Sequence, residues 1–129
     1  YNLVEKMVEL SPNDWGKLFF FGRVEESVIE GNFWIKRGFE IIHPNQYIRI
    51  SGNLEREKSF NSLNKILENI FKVFEKNNQD LFTEVKFIVS ENGKFDIKFS
   101  YDKIEEDDYF SEKFQAWKKE IEKEEFGEQ

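Results

Sequence analysis

The chain has 129 residues, no cysteine and a formal net charge of −7. That length closes one hydrophobic core unaided, and the lack of thiols excludes both a disulfide framework and a thiolate metal site. No apolar run approaches the roughly 18 residues of a membrane span, so a cytoplasmic single domain over residues 1–129 is the expectation. Leu3, Val4, Met7, Val8 and Leu10 follow helical spacing, and Ser11-Pro12 ends that helix. After the turn Asn13–Gly16, residues 17–25 (KLFFFGRVE) read as an aromatic strand. Gly22 within it marks a bulge or close packing. Residues 28–36 (VIEGNFWIK) read as its antiparallel partner, with the reversal either at 25–27 or at 30–32. Residues 39–50 predict a further strand pair or one bent strand, interrupted at His43-Pro44-Asn45. Gly52 to Lys58 reads as a polar linker.

From there the period changes. Leu63, Ile66, Leu67, Ile70, Phe71 and Phe74 form one apolar stripe on a helix over residues 61–76, capped by Ser59 or Asn61 and ended by Asn77-Asn78. Next comes a β-hairpin. Val85, Phe87 and Val89 alternate with Glu84, Lys86 and Ile88, as Phe95, Ile97, Phe99 and Tyr101 do with Asp96, Lys98 and Ser100, which puts one apolar row on a core face, and Asn92-Gly93 supplies the tight turn. The hairpin runs into the acidic segment Asp102-Lys103-Ile104-Glu105-Glu106-Asp107-Asp108. Phe110, Phe114, Trp117 and Ile121 then recur at helical spacing behind Ser111 as N-cap, and the tail 122–129 is expected to fray. Strand runs separated by helices, with no βα repeat, predict an α+β fold. An antiparallel sheet of four to six strands is expected, packed on the amphipathic helix and flanked by N- and C-terminal helices. Phe33 and Trp34 face opposite ways on one strand, so one of them is outside unless both sheet faces are covered.

Catalytic patterns are weak. His43 is the single histidine, no serine sits in a nucleophile elbow, and no glycine-rich phosphate loop is present. The carboxylates of 102–108 could hold Mg²⁺ or Ca²⁺ for a small hydrolase, but they lack the glycine and alternating spacing of a calcium loop. No catalytic residue, cofactor or metal ligand is therefore assigned. Lys36-Arg37 and Lys118-Lys119 are isolated pairs without a basic stripe, which argues against direct nucleic-acid binding.

Charge is unevenly placed. Residues 1–90 carry 13 acidic and 12 basic side chains, and residues 91–129 carry 13 and 7. An anionic field of this kind repels nucleic acid and anionic membranes and steers a cationic partner inward. The candidate partner-binding residues are Asp102, Glu105, Glu106, Asp107 and Asp108 for steering, with Tyr101, Tyr109 and Trp34 as aromatic anchors. An adaptor for some other basic protein would use the same surface.

Pro12-x-x-Trp15 before an aromatic strand, Phe33-Trp34, the amphipathic helix and Gly93-Lys94-Phe95-Asp96-Ile97-Lys98-Phe99-Ser100-Tyr101-Asp102, with acidic residues behind it and Trp117 downstream, carry a family likeness. From Pro12 to Trp117 the chain resembles the YezG-like immunity proteins of bacteria. The resemblance implies an α+β antitoxin that binds and neutralises a cognate polymorphic toxin, typically a nuclease domain. It implies neither catalysis nor a cofactor.

Overall fold

A computed structural model describes residues 2–25, 28–44, 53–77 and 81–127. Helix α1 (Asn2–Glu9) precedes strands β1 (Lys17–Glu25), β2 (Val28–Arg37) and β3 (Glu40–Ile42). Helix α2 (Asn53–Lys76), strands β4 (Glu84–Ser90) and β5 (Phe95–Ser100) and helix α3 (Phe110–Phe126) complete the order. The strands form one antiparallel five-stranded sheet in the order β3-β2-β1-β4-β5, an α+β arrangement of the kind expected.

Glu25 pairs with Val28, which rules out a reversal at 30–32 and leaves Gly31 in mid-strand, directly opposite Gly22. The two glycines make room for one ring. A Cβ on Gly22 would lie 2.8 Å from Leu67 Cδ2 and 2.9 Å from Phe20 Cε2, and one on Gly31 would lie 2.8 Å from Phe20 Cζ. The close-packing reading of Gly22 holds: Phe20 lies across the glycine pair, beneath α2.

Because β1 alternates, its two rows of aromatics enter two different cores. Leu18, Phe20 and Val24 join Phe33, Ile35, Val85, Val89, Leu67 and Phe82 under α1 and α2. Phe19 and Phe21 join Trp34, Ile41, Phe114, Trp117 and Ile121 under α3. Both faces of the sheet are thus covered, and both Phe33 and Trp34 are buried.

Several element boundaries differ from expectation. Helix α2 begins at Asn53, so residues 53–58 are helix and not a linker, and Ser59 and Asn61 lie inside it. Leu54, Glu55, Arg56, Glu57 and Lys58 are all strong helix formers, so the charged stretch continues the helix rather than breaking it. Asn77 ends the helix, its side-chain amide donating to the Val73 carbonyl at 2.8 Å. Helix α3 is led by Tyr109 in an extended conformation without a side-chain cap, and Ser111 falls within it. The first turn is pulled in by Phe110, which stacks on Phe21 at 5.1 Å. The tail is ordered through Phe126, because Glu125 accepts hydrogen bonds from Lys17 and Lys36, each at 3.0 Å. Residues 45–50, Asn78 and the side chains of Leu63 and Phe74 lie outside what is described, and so does the remainder of the predicted third strand pair.

A tethered acidic loop as candidate partner-binding site

The loop 101–109 connects β5 to α3, crossing from one edge of the sheet to the face that α3 covers. Its start is fixed by Thr83, whose backbone N–H donates to the Ser100 carbonyl at 2.8 Å and whose hydroxyl donates to the Asp102 carbonyl at 2.7 Å. In its middle, the Asp108 N–H donates to the Glu105 carbonyl at 3.1 Å and closes a turn over Glu106-Asp107.

The far end is held by a buried ion cluster. Arg23 of β1 stands beside Glu84 of β4 in the sheet register. Its Nε and Nη2 donate to Glu84 Oε2 at 3.0 and 2.6 Å. The same guanidinium reaches the loop: Nη1 donates to the Asp108 carbonyl at 2.6 Å and Nη2 to Asp108 Oδ1 at 3.0 Å. Lys113 of α3 completes the cluster with a 2.8 Å hydrogen bond to Glu84 Oε1, and it stands 3.6 Å from Asp108 Oδ2. A planar fork of donors suits this task, since Arg can serve two carboxylates and a carbonyl at once. The Phe110 ring sits 5.9 Å from the guanidinium carbon and seals one side.

Charge states follow from these contacts. Burial works against the Arg23 cation, but the hydrogen bonds and charges of Glu84 and Asp108 outweigh it and raise its pKa above the ordinary arginine value. The Arg23 hydrogen bond is the main reason the Asp108 carboxyl lies below the usual aspartate range, with Lys113 adding to the effect and burial opposing it. Asp108 is therefore a half-buried, paired anion at neutral pH. Its charge is spent on holding the loop, and it leaves the set of free steering groups.

The other predicted residues separate cleanly. Asp102, Glu105, Glu106 and Asp107 are exposed and make no ion pair among the described residues. Tyr101 and Tyr109 flank them with 54% and 59% of their surface open to solvent. Trp34 does not join them. At 3% exposure it lies beneath α3, stacked on Phe114 at 4.4 Å, with its indole N–H donating to the Phe114 carbonyl at 3.1 Å. The covered second face is the reason, and it removes Trp34 from the anchors. His43 is also a packing residue: Nε2 lies 2.8 Å from Asn32 Oδ1, and the ring stands edge-on to Trp34 and Phe114.

Arg23, Glu84 and Lys113 were missed by sequence reasoning, although a signal existed. Arg23 shares a strand face with Phe19 and Phe21, so a charge was being sent into an aromatic layer and required a partner. Among the described residues, no three acidic or histidine side chains converge as a metal site would need. No helix there is long and apolar enough to cross a membrane.

Comparison with known proteins adds one family. The family described as "Immunity protein YezG-like" matches residues 1–127. No curated protein matches the chain.

Proposed function

Since the chain belongs to the YezG-like immunity protein family, we propose that it neutralises a cognate toxin by stoichiometric binding in the cytoplasm, and that the toxin is a nuclease domain met by the loop 101–107. The observation that carries this reading is the division of labour in the acidic segment. Asp108 is committed to Arg23, while Asp102, Glu105, Glu106 and Asp107 project four carboxylates, without an ion pair among the described residues, from a loop tethered at both ends.

Nuclease domains are basic where they grip phosphates, so an anionic surface is steered to the groove that must be blocked. Complementary charge raises association toward about 10⁸ M⁻¹s⁻¹ at low salt. Lasting affinity needs desolvated anchors, and the exposed rings of Tyr101 and Tyr109 stand at both ends of the carboxylate run. Tethering matters because an ordered loop loses less conformational freedom on binding. In this reading the chain inhibits by occupancy and performs no chemistry.

The test is a titration of the chain against the activity of the toxin domain encoded beside its gene. A variant with Asp102, Glu105, Glu106 and Asp107 changed to Ser is run in parallel. Full inhibition at one equivalent is expected. The variant should associate more slowly and with a shallower salt dependence, because it releases fewer counterions. Absence of both inhibition and complex formation would sink the antitoxin reading for that pair. Equal association of the variant would remove the loop from the interface.

A further inference from the structure

The two edges of the sheet are built differently. β3 has only three residues and runs into Pro44, a short edge of the kind that resists pairing. β5 has six residues, no proline and no bulge, and it pairs with β4 in unbroken register from Ser100 to Phe95. It is the last strand of the sheet, and among the described residues no strand pairs with its outer edge. The side chains that line it are apolar on one face: Phe95 is 69% exposed and Ile97 43%, and Phe99 continues the row. Among the described residues Phe95 stacks on Phe87 of the neighbouring strand, at 6.0 Å, and its outer side stays open. An open, flat, apolar edge of this length is a template for another strand.

Two further observations say what fits it. The Ser90 N–H donates to the Lys94 carbonyl at 2.8 Å. Hydrogen-bonding direction alternates along an antiparallel strand, so residues 96 and 98 turn their backbone groups toward β4 while Phe95, Ile97 and Phe99 turn theirs outward. An incoming strand must therefore pair with residues 95, 97 and 99.

The second observation is that Phe95-Asp96-Ile97-Lys98-Phe99 reads the same in chemistry from either end, except that its two charges exchange sign. Laid antiparallel on itself about Ile97, it sets Phe95 against Phe99, Ile97 against Ile97 and Asp96 against Lys98. Every apolar side chain then meets an apolar one on one face, and every charge meets its opposite on the other. Within one chain these exposed charges are met by solvent. Lys98 stands opposite Lys86 in the sheet, a like-charge neighbour, and Asp96 stands opposite Ile88. Neither Asp96 nor Lys98 has an ion-pair partner among the described residues.

We propose that this chain pairs with a second copy of itself along β5, antiparallel and centred on Ile97, joining two five-stranded sheets into one continuous sheet. The inference is independent of the antitoxin reading, since it concerns the chain alone.

Sedimentation equilibrium of the full chain, over about 1 to 200 µM, where interfaces of modest size assemble, is the test. The expected mass at high concentration is twice the 15.6 kDa of the chain. Asp96→Lys or Lys98→Asp alone sets like charges against each other at two symmetry-related places and should weaken dimerisation by about tenfold or more. The two substitutions together restore opposite charges and should restore the dimer. Lys98→Asp also replaces the like charge opposite Lys86 in the register, so its thermal stability as a monomer should not fall, which separates lost pairing from lost folding. A monomer at every concentration would overturn the proposal. So would a dimer indifferent to either charge reversal, or a failure of the double variant to recover. A chain that is monomeric alone but loses toxin binding on Asp96→Lys would assign the edge to the toxin instead, and would equally overturn self-pairing.

Discussion

Replacing Arg23 with Met tests whether the ion cluster under the acidic loop is a structural tether. Met keeps an aliphatic stem of similar length and removes the guanidinium, with its contact to the Phe110 ring. Four hydrogen bonds go with it, two to Glu84 and two to Asp108. Glu84 is then left as a buried carboxylate whose remaining ionic partner is Lys113. Removing one member of a buried pair costs about 3–5 kcal/mol, chiefly through the stranded charge. Lys113 is already in place at 2.8 Å, so the loss should fall at the lower end, about 3 kcal/mol. For a domain of this size that lowers Tm by about 10 °C. Urea unfolding at pH 7 reads the free energy directly, and the Arg23→Met/Glu84→Gln double variant closes a cycle. Removing the stranded carboxylate as well should return about 1 kcal/mol or more. Glu9→Gln, at the exposed Lys6–Glu9 pair, serves as the control and should change stability by less than about 0.5 kcal/mol. A loss below about 1 kcal/mol for Arg23→Met, or additivity within the cycle, would refute the tether.

Three further outcomes follow from the same geometry. Asp108→Asn should cost about 1 kcal/mol at pH 7. Because the folded-state pKa of Asp108 is depressed, its contribution is present above the unfolded value of about 3.9 and is lost as pH falls through the folded one; the gap between wild type and variant should be full from about pH 5 upward and close in acid, as read by urea melts across pH. Gly22→Ala forces a methyl group against Phe20 and Leu67 and should destabilise by about 1–3 kcal/mol in the same assay. Trp34→Phe loses the indole hydrogen bond to Phe114 and part of a stacked contact, for about 1–2 kcal/mol, and should leave toxin inhibition unchanged because the ring does not reach the surface.

The pairing and turn of the β4–β5 hairpin were legible, since alternation and Asn92-Gly93 are both local signals, but the same alternation sends Phe95 and Ile97 toward a core and both are exposed at the sheet edge. Gly93 takes φ 87°, as the turn requires, and Val89 pairs with Phe95 around it. The first hairpin was legible as a pair but not in register. Gly31 reads as a turn when taken alone, and only the ring of Phe20 explains why a strand holds two facing glycines. The start of α2 was hidden for a different reason: residues 53–58 are mostly polar and charged, and such a stretch looks like a linker once helix propensity is set aside.

The site divides the same way. That the segment after β5 is acidic was plain, and so was the likelihood that its rings and carboxylates would be exposed as a group. That five neighbouring acids would not act alike was not. Glu105, Glu106, Asp107 and Asp108 are adjacent in the chain, yet one of them answers a cation 85 residues away on β1. The sorting is electrostatic. A guanidinium sent into an aromatic layer cannot be left without counter-charge. Glu84 supplies one carboxylate from the next strand, and the loop must bend until Asp108 supplies another. Trp34 obeys the complementary rule, since a strand carrying large rings on both faces calls for a helix on each. Once α3 provides the second layer, the loop leading into it is pinned where α3 begins. The burial of Trp34 and the posture of the acidic loop are therefore two consequences of one packing event, the docking of Phe110, Phe114 and Trp117 on β1 and β2.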